Sequence, residues 1–235
     1  MKSRDFAKGM LHGVPICLGY LAVSFSFGIF AVGQGISILE AVFISMFNMT
    51  SAGQLAGVPI IASGGGLIEL ASTQLFINLR YALMSVSLSQ RLDRKVKLPH
   101  RFLIGFGVTD EVFAVSVSQP SEVSKEYMYG LILVSYLGWA GGTLLGAVAG
   151  NILPSIVTTA LGVAIYGMLI AIVVPPMRDH RPTALCVLLA IALSCAFYYV
   201  PYLSQVSTGF VIIICSVAAS ALFALLRPIP EETEG

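Results

Sequence analysis

Asn48-Met49-Thr50-Ser51-Ala52-Gly53-Gln54 sits near the middle of an apolar segment that runs from about Ile38 to Ala62. That segment is long enough to span a bilayer, which takes about 20 apolar residues. A plain membrane anchor has no use for amides, hydroxyls and a glycine at mid-depth. Ser51 followed three residues later by Gln54 reads as a capping box, the mark of a helix start. A helix that starts inside a membrane presents unpaired backbone N–H groups and the positive end of its dipole, which together attract anionic groups. The competing reading is that small and polar residues let two helices pack closely.

The rest of the composition fits a chain that lives in lipid. Of its 235 residues, 57% are hydrophobic and 11% charged, against about 25% charged in ordinary soluble domains. Mean hydropathy is +0.89. No polar stretch is long enough for a soluble domain, so residues 1–235 are expected to form one transmembrane domain. A net charge of +1 gives no reason to expect a nucleic-acid partner. Cys17, Cys186, Cys195 and Cys215 all lie in apolar segments without a CxxC pair, and read as small buried hydrophobes. Nothing has the spacing of a metal site, and no cofactor is implied.

The fold class expected is an all-α polytopic membrane protein with about seven hydrophobic segments. Two of them, about 38–62 and 102–117, are expected to be broken or re-entrant. The first apolar run extends from about Leu11 to Val32, after a basic tail at 1–9 and with Pro15 in its first turns. Gly33-Gln34-Gly35 makes a turn, and Ser37 with Glu40 forms a capping box. Leu67 to Ser89 follows, with Glu69 in its first turn and Gln74, Asn78 and Arg80 deeper. An Arg near a bilayer centre costs about 2.5–3.5 kcal/mol on insertion scales. Arg80 therefore needs a partner or a wet cavity, or else it sits higher and snorkels to an interface. Phe102 to Val117 is interrupted by Gly105, Gly107, Thr109, Asp110 and Glu111. Adjacent helical carboxylates point about 100° apart, and Thr109 suits the cap of a second half-helix. Gly138, Gly142, Gly146 and Gly150 line one face of the segment from about Tyr127 to Val148, a packing stripe. Further segments run from Ile156 to Val174, ending at Pro175-Pro176, from Thr183 to Val200, and from Phe210 to Leu226. The tail 227–235 is expected to be disordered.

Charge placement adds a parity constraint. Basic residues mark cytoplasmic segments. The N-terminus, the stretch Arg91 to Arg101 and the loop Arg178 to Arg181 are all basic. Three full crossings between Leu11 and Ser89 would put the first two on opposite sides, so one of the three must enter and return. The same count requires Phe102–Val117 to return. The segments most broken by polar residues and glycine are the natural candidates, since irregular backbone at membrane depth survives only around a protected cavity.

These residues also carry a resemblance. Asn78-Leu79-Arg80-Tyr81-Ala82-Leu83-Met84-Ser85 with Ser87-Leu88-Ser89, and Gly107-Val108-Thr109-Asp110-Glu111-Val112-Phe113-Ala114, resemble blocks of the AzlC family of branched-chain amino acid permeases. Tyr136 to Gly146 and Val174 to Pro182 match further blocks, so the likeness covers about residues 10–200. The resemblance implies export of branched-chain amino acids across a bacterial inner membrane. It also implies a second, small membrane subunit of the AzlD type, for which Gly138 to Gly150 offers one candidate face; an internal helix would use that face equally well.

The combined expectation is a secondary transporter for an apolar amino acid. Asn48, Thr50, Ser51, Gly53, Gln54, Asn78 and Arg80 are the candidate substrate-binding residues. Asp110 or Glu111 would meet the ammonium or carry a coupling proton, and Arg80 pairs with one of them when the site is empty. Phe47, Met49 and Leu55 are candidate side-chain contacts. The expected partners are the amino acid, membrane lipid, the small subunit and a homo-oligomer. The alternative is a channel or permease for another small amphipathic solute. An enzyme is disfavoured, since His12, His100 and His180 lie near segment ends and no HExxH or GxSxG occurs.

Overall fold

The computed structural model describes residues 2–226; the tail 227–235 lies outside the described residues. Ten α-helices carry the described chain: α1 (Lys2–Gly33), α2 (Ile38–Phe47), α3 (Ser51–Ala62), α4 (Leu67–Arg91), α5 (Leu98–Phe106), α6 (Asp110–Val117), α7 (Lys125–Ile152), α8 (Ser155–Asp179), α9 (Arg181–Tyr199) and α10 (Thr208–Leu226). Both segments expected to be broken are broken. Residues 38–62 divide into α2 and α3, and residues 98–117 into α5 and α6. Helices α1, α7, α9 and α10 are long and apolar enough to cross a membrane, whereas α2 and α3 are not.

Two end-to-end contacts show what the short helices do. At one end, the guanidinium of Arg91 donates to the carbonyls of Val117 and Gln119, at 2.9 and 2.8 Å. The Val123 N–H donates to the Arg91 carbonyl, and the Asp93 N–H to that of Val123. The chain entering α5 and the chain leaving α6 are thus stitched together, so α5–α6 enters and returns. The start of α1 joins the same end: Lys8 donates to Gln119, and Ser124 donates to Asp5. Helix α1 leaves from this end and the 25-residue α4 arrives there from the opposite end, so α2–α3 lies between two end-to-end helices and returns to the side it came from. At that opposite end the Gly209 N–H, opening α10, donates to the Glu69 carboxylate at 3.0 Å. With α7 ending opposite, α8 and α9 as crossings return the chain to that point. Every Lys and Arg of the described residues except Arg80 then falls at one end.

The scaffold between the hairpins is the parallel pair α1 and α7. A Cβ on Gly138 would meet the Cys17 carbonyl, one on Gly142 that of Leu21, one on Gly146 that of Phe25, and one on Gly150 the backbone of Ile29. Four-residue steps on α7 thus match four-residue steps on α1, and the absence of side chains lets the backbones touch. The glycine stripe is occupied by the chain's own first helix. It is not the face for a second subunit.

Four local expectations change. Helix α1 begins at Lys2, so residues 2–9 are helical and Pro15 lies mid-helix, removing the N–H that would bond the Leu11 carbonyl. Helix α8 continues through Pro175-Pro176 to Asp179, with the His180 N–H closing the last turn on the Pro176 carbonyl. The N-cap of α3 is Thr50, one residue before the expected Ser51, because the Thr50 hydroxyl accepts the Gly53 N–H while Gln54 turns elsewhere. Cys195 is exposed on the outer surface, while Cys215 is buried. The capping box of Ser37 with Glu40 and the Thr109 cap form as expected, and Pro99 sits in the first turn of α5.

Candidate functional site

The breaks at Asn48–Thr50 and Gly107–Thr109 meet at mid-depth. Met49 and Ser51 from the first, and Thr109, Asp110 and Glu111 from the second, line one cavity of about 410 Å³. Helix α1 supplies Pro15, Ile16, Gly19, Tyr20 and Val23, while Tyr81 and Trp139 complete the wall. Aliphatic and aromatic surface therefore surrounds a small set of hydroxyls and two carboxylates.

Each break is held by side chains rather than by helix hydrogen bonds. The Gln54 amide donates to Ser45 Oγ at 2.8 Å and to the Asn48 carbonyl at 2.9 Å. Ser45 in turn shares a 2.6 Å hydrogen bond with Thr143. Tyr136 donates to the Met46 carbonyl at 3.2 Å. From α4, Gln74 donates to the Gly53 carbonyl at 2.8 Å, and its own oxygen accepts from Asn48 and Asn78. Carbonyls freed by an interrupted helix need such partners at membrane depth. In the second break, the Thr109 hydroxyl accepts the Val112 N–H, and Gly107 packs against Ile132 where a Cβ would collide.

The two carboxylates have different surroundings. Asp110 faces Arg80 of α4, with Nη1 to Oδ1 and Nη2 to Oδ2 both 2.9 Å. Arg80 also donates to the Tyr81 hydroxyl at 3.0 Å and lies over its ring. Glu111 faces the other way, onto Tyr20. The phenol bonds Glu111 Oε2 and stands 2.5 Å from Thr109 Oγ1. A phenol carries one proton, so one of these two neighbours donates to it. With Glu111 ionised, Thr109 donates to Tyr20 and Tyr20 to Glu111. With Glu111 protonated, the direction reverses. The same three oxygens stay bonded in both states. Trp139 packs edge-on against Tyr20, ring centroids 5.0 Å apart.

The expected site residues thus separate into groups. Ser51, Asp110 and Glu111 line the cavity, and Arg80 reaches it through Asp110. Asn48, Thr50 and Asn78 line an adjoining recess of about 180 Å³, to which Tyr81 and Met49 also contribute. Gly53 and Gln54 are buried within the break itself: Gly53 lets Gln74 approach, and Gln54 ties the two half-helices. Met49 borders the cavity, Phe47 lines the adjoining recess while staying largely exposed, and Leu55 borders a different recess. Tyr20, Tyr81, Gln74, Ser45, Thr143 and Trp139 are additions. A tyrosine in the middle of a long apolar helix, away from either interface, is the signal that marks Tyr20 in the sequence.

The family model for the AzlC protein matches residues 15–153, which contain both breaks, both carboxylates, α7 and most of α1. The chain belongs to the AzlC family. An uncharacterized membrane protein of Archaeoglobus fulgidus is 35% identical over 78% of this chain and 81% of its own length. The inner membrane protein YgaZ of Escherichia coli is 33% identical over 63% of this chain and 62% of its own. The branched-chain amino acid transport protein AzlC of Bacillus subtilis is 24% identical over 62% of this chain and 58% of its own. The matched region thus spans less than two thirds of the Escherichia coli and Bacillus subtilis proteins. No solved structure matches. This AzlC-family chain is a membrane protein whose family-defining region is the part that builds the mid-depth cavity.

Proposed function

We propose that this AzlC-family protein is a secondary transporter that exports branched-chain or other apolar amino acids across the bacterial inner membrane. The observation that supports this reading is the meeting of two re-entrant helix starts, from opposite sides, at one cavity with carboxylates on one wall and apolar groups on the other. The amino acid's carboxylate approaches the start of α3 at Ser51, where first-turn N–H groups and the dipole favour an anion. Its ammonium meets Glu111. Its side chain lies among Ile16, Val23 and Met49. Arg80 stays with Asp110 while the cavity is empty, and Glu111 carries the coupling proton, since the Tyr20 network accommodates it in either state. The basic end is cytoplasmic by the positive-inside rule, which places the N-terminus in the cytoplasm. A small AzlD-type subunit completes the exporter.

The test is leucine movement in proteoliposomes under an imposed pH gradient, with the small subunit co-reconstituted. Saturable, gradient-driven accumulation that is lost in Glu111→Gln supports the reading. Downhill flux alone favours a channel, and no leucine movement under any gradient defeats the substrate assignment.

A further inference from the structure

Away from the transport cavity, α1, α5 and α7 enclose an apolar groove of about 340 Å³ on the outer surface of the basic end. Phe6, Leu103 and Leu133 form its walls. Its inner end is closed by Phe106 and Tyr136, whose ring centroids are 6.5 Å apart. Leu103, Phe106 and Leu133 are all well exposed, so the groove opens sideways into lipid.

Its rim carries free hydrogen-bond donors. Lys125 Nζ lies 3.3 Å from His100 Nε2, and His100 Nδ1 lies 2.6 Å from the Tyr129 hydroxyl. An ammonium only donates, so Nε2 accepts and Nδ1 carries the ring proton, which it gives to the Tyr129 oxygen. Among the described residues the Tyr129 O–H is then left without an acceptor, and Lys125 has two further N–H groups to offer. Lys97 caps α5 one turn away. Two acidic residues stand beside this rim, Glu126 next to Lys125 and Asp5 accepting from Ser124, and neither Lys97 nor Lys125 forms an ion pair among the described residues.

We propose that this groove binds one anionic phospholipid, with the headgroup-proximal half of an acyl chain in the slot, the rest leaving sideways into lipid, and its phosphate on Tyr129 and Lys125. Charge complementarity selects the anionic headgroup at the membrane surface. Size argues against a partner helix. From Tyr129 to Tyr136 the slot extends about 10 Å at 1.5 Å per residue, and it is closed at its inner end, whereas a helix is about 10–12 Å wide and continues along the membrane. The slot borders both transport breaks: Tyr136 holds the Met46 carbonyl, and Phe106 ends α5 just before Gly107. The site does not depend on the transport assignment.

The test is native mass spectrometry of the full-length protein in detergent, with phosphatidylglycerol and phosphatidylcholine supplied in equal amounts. One phosphatidylglycerol should be retained with at least about tenfold preference. The double variant Lys125→Gln, Tyr129→Phe should lose that preference, Leu133→Trp should lose both lipids, and Arg94→Gln, which removes an exposed charge elsewhere on this end, should retain it. Equal retention of the two lipids by the native protein overturns the proposal. So does an unchanged preference in the double variant, or an equal loss in Arg94→Gln. Protection of the site by glycerol phosphate alone, or crosslinking of position 133 to a second polypeptide, overturns it as well.

Discussion

Arg80 and Asp110 meet as a planar fork, two parallel contacts of 2.9 Å each, joining the middle of α4 to the first residue of α6. The pair ties a full membrane crossing to the inner half of a re-entrant hairpin. Each side chain is 46% exposed. Removing either partner leaves the other as an unmatched charge at membrane depth, a change that costs about 2.5–3.5 kcal/mol on insertion scales. Arg80→Gln and Asp110→Asn should therefore each lower stability in detergent by about 2–3 kcal/mol. The double variant should recover more than half of the summed loss, because no lone charge remains. Additive losses in that thermal-denaturation cycle would show that the pair is not coupled.

Tyr20 and Glu111 make a different prediction. Tyr20→Phe removes one oxygen from a three-oxygen chain and little volume. A hydrogen bond to a charged group contributes about 1.5–3 kcal/mol, so stability should fall by that order and gradient-driven transport at least about tenfold. Glu111→Gln keeps a hydrogen-bonding group beside Tyr20 but carries no proton for coupling. It should abolish uphill transport and weaken, without abolishing, leucine exchange, because the charge that meets the ammonium is removed. Loss of exchange together with uphill transport would place Glu111 in substrate binding alone.

Much of this was legible in the sequence, and the reasons it was legible are physical. A polar stretch inside an apolar run is expensive in lipid, so Thr50-Ser51-Ala52-Gly53-Gln54 and Gly107-Val108-Thr109-Asp110-Glu111 announced both breaks. Charge parity required both hairpins to return, and the stitched ends at Arg91 and Gln119 bear that out for the second. Local patterns did not reveal which residues face one another across the fold. Gln54 looked like a cap and is a brace, because its amide donates to Ser45 and to the Asn48 carbonyl of the preceding half-helix. Tyr20 stands out in its apolar helix as a mid-segment phenol, but its partners Thr109 and Glu111 lie about 90 residues away and no local pattern names them. The glycine stripe could serve an internal helix or a partner equally well, and the position of α1 decides between them.

That stripe gives a paired prediction on one helix. A Cβ on Gly142 would stand 2.5 Å from the Leu21 carbonyl, whereas one on Gly141 meets nothing within 4 Å. Gly142→Val should separate α1 from α7 and cost at least about 3 kcal/mol, beyond ordinary core overpacking. Gly141→Ala should be neutral or stabilising by up to about 1 kcal/mol, since glycine is a poor helix former. Yield of folded, monodisperse protein by size-exclusion chromatography distinguishes the two outcomes. Equal tolerance would mean that the helices pack less closely than the structure places them.

The double re-entrant architecture is itself testable by labelling from either side of the membrane. Gln34 and Leu67 flank the α2–α3 hairpin, and both are exposed. Ser121 lies beyond α6 at the opposite, basic end, and Arg94 precedes α5 there; both are exposed. In a chain whose four native cysteines are replaced, Gln34→Cys and Leu67→Cys should react with an impermeant maleimide from the outside of intact cells. Arg94→Cys and Ser121→Cys should react only after the membrane is permeabilised. If α2–α3 crossed fully, the labels at 34 and 67 would fall on opposite sides. If α5–α6 crossed fully, those at 94 and 121 would do so. The cavity depends on both returns, because a full crossing by either hairpin would carry one of the two helix starts away from mid-depth. A split result for either pair therefore removes the geometry on which substrate binding between Ser51 and Glu111 rests.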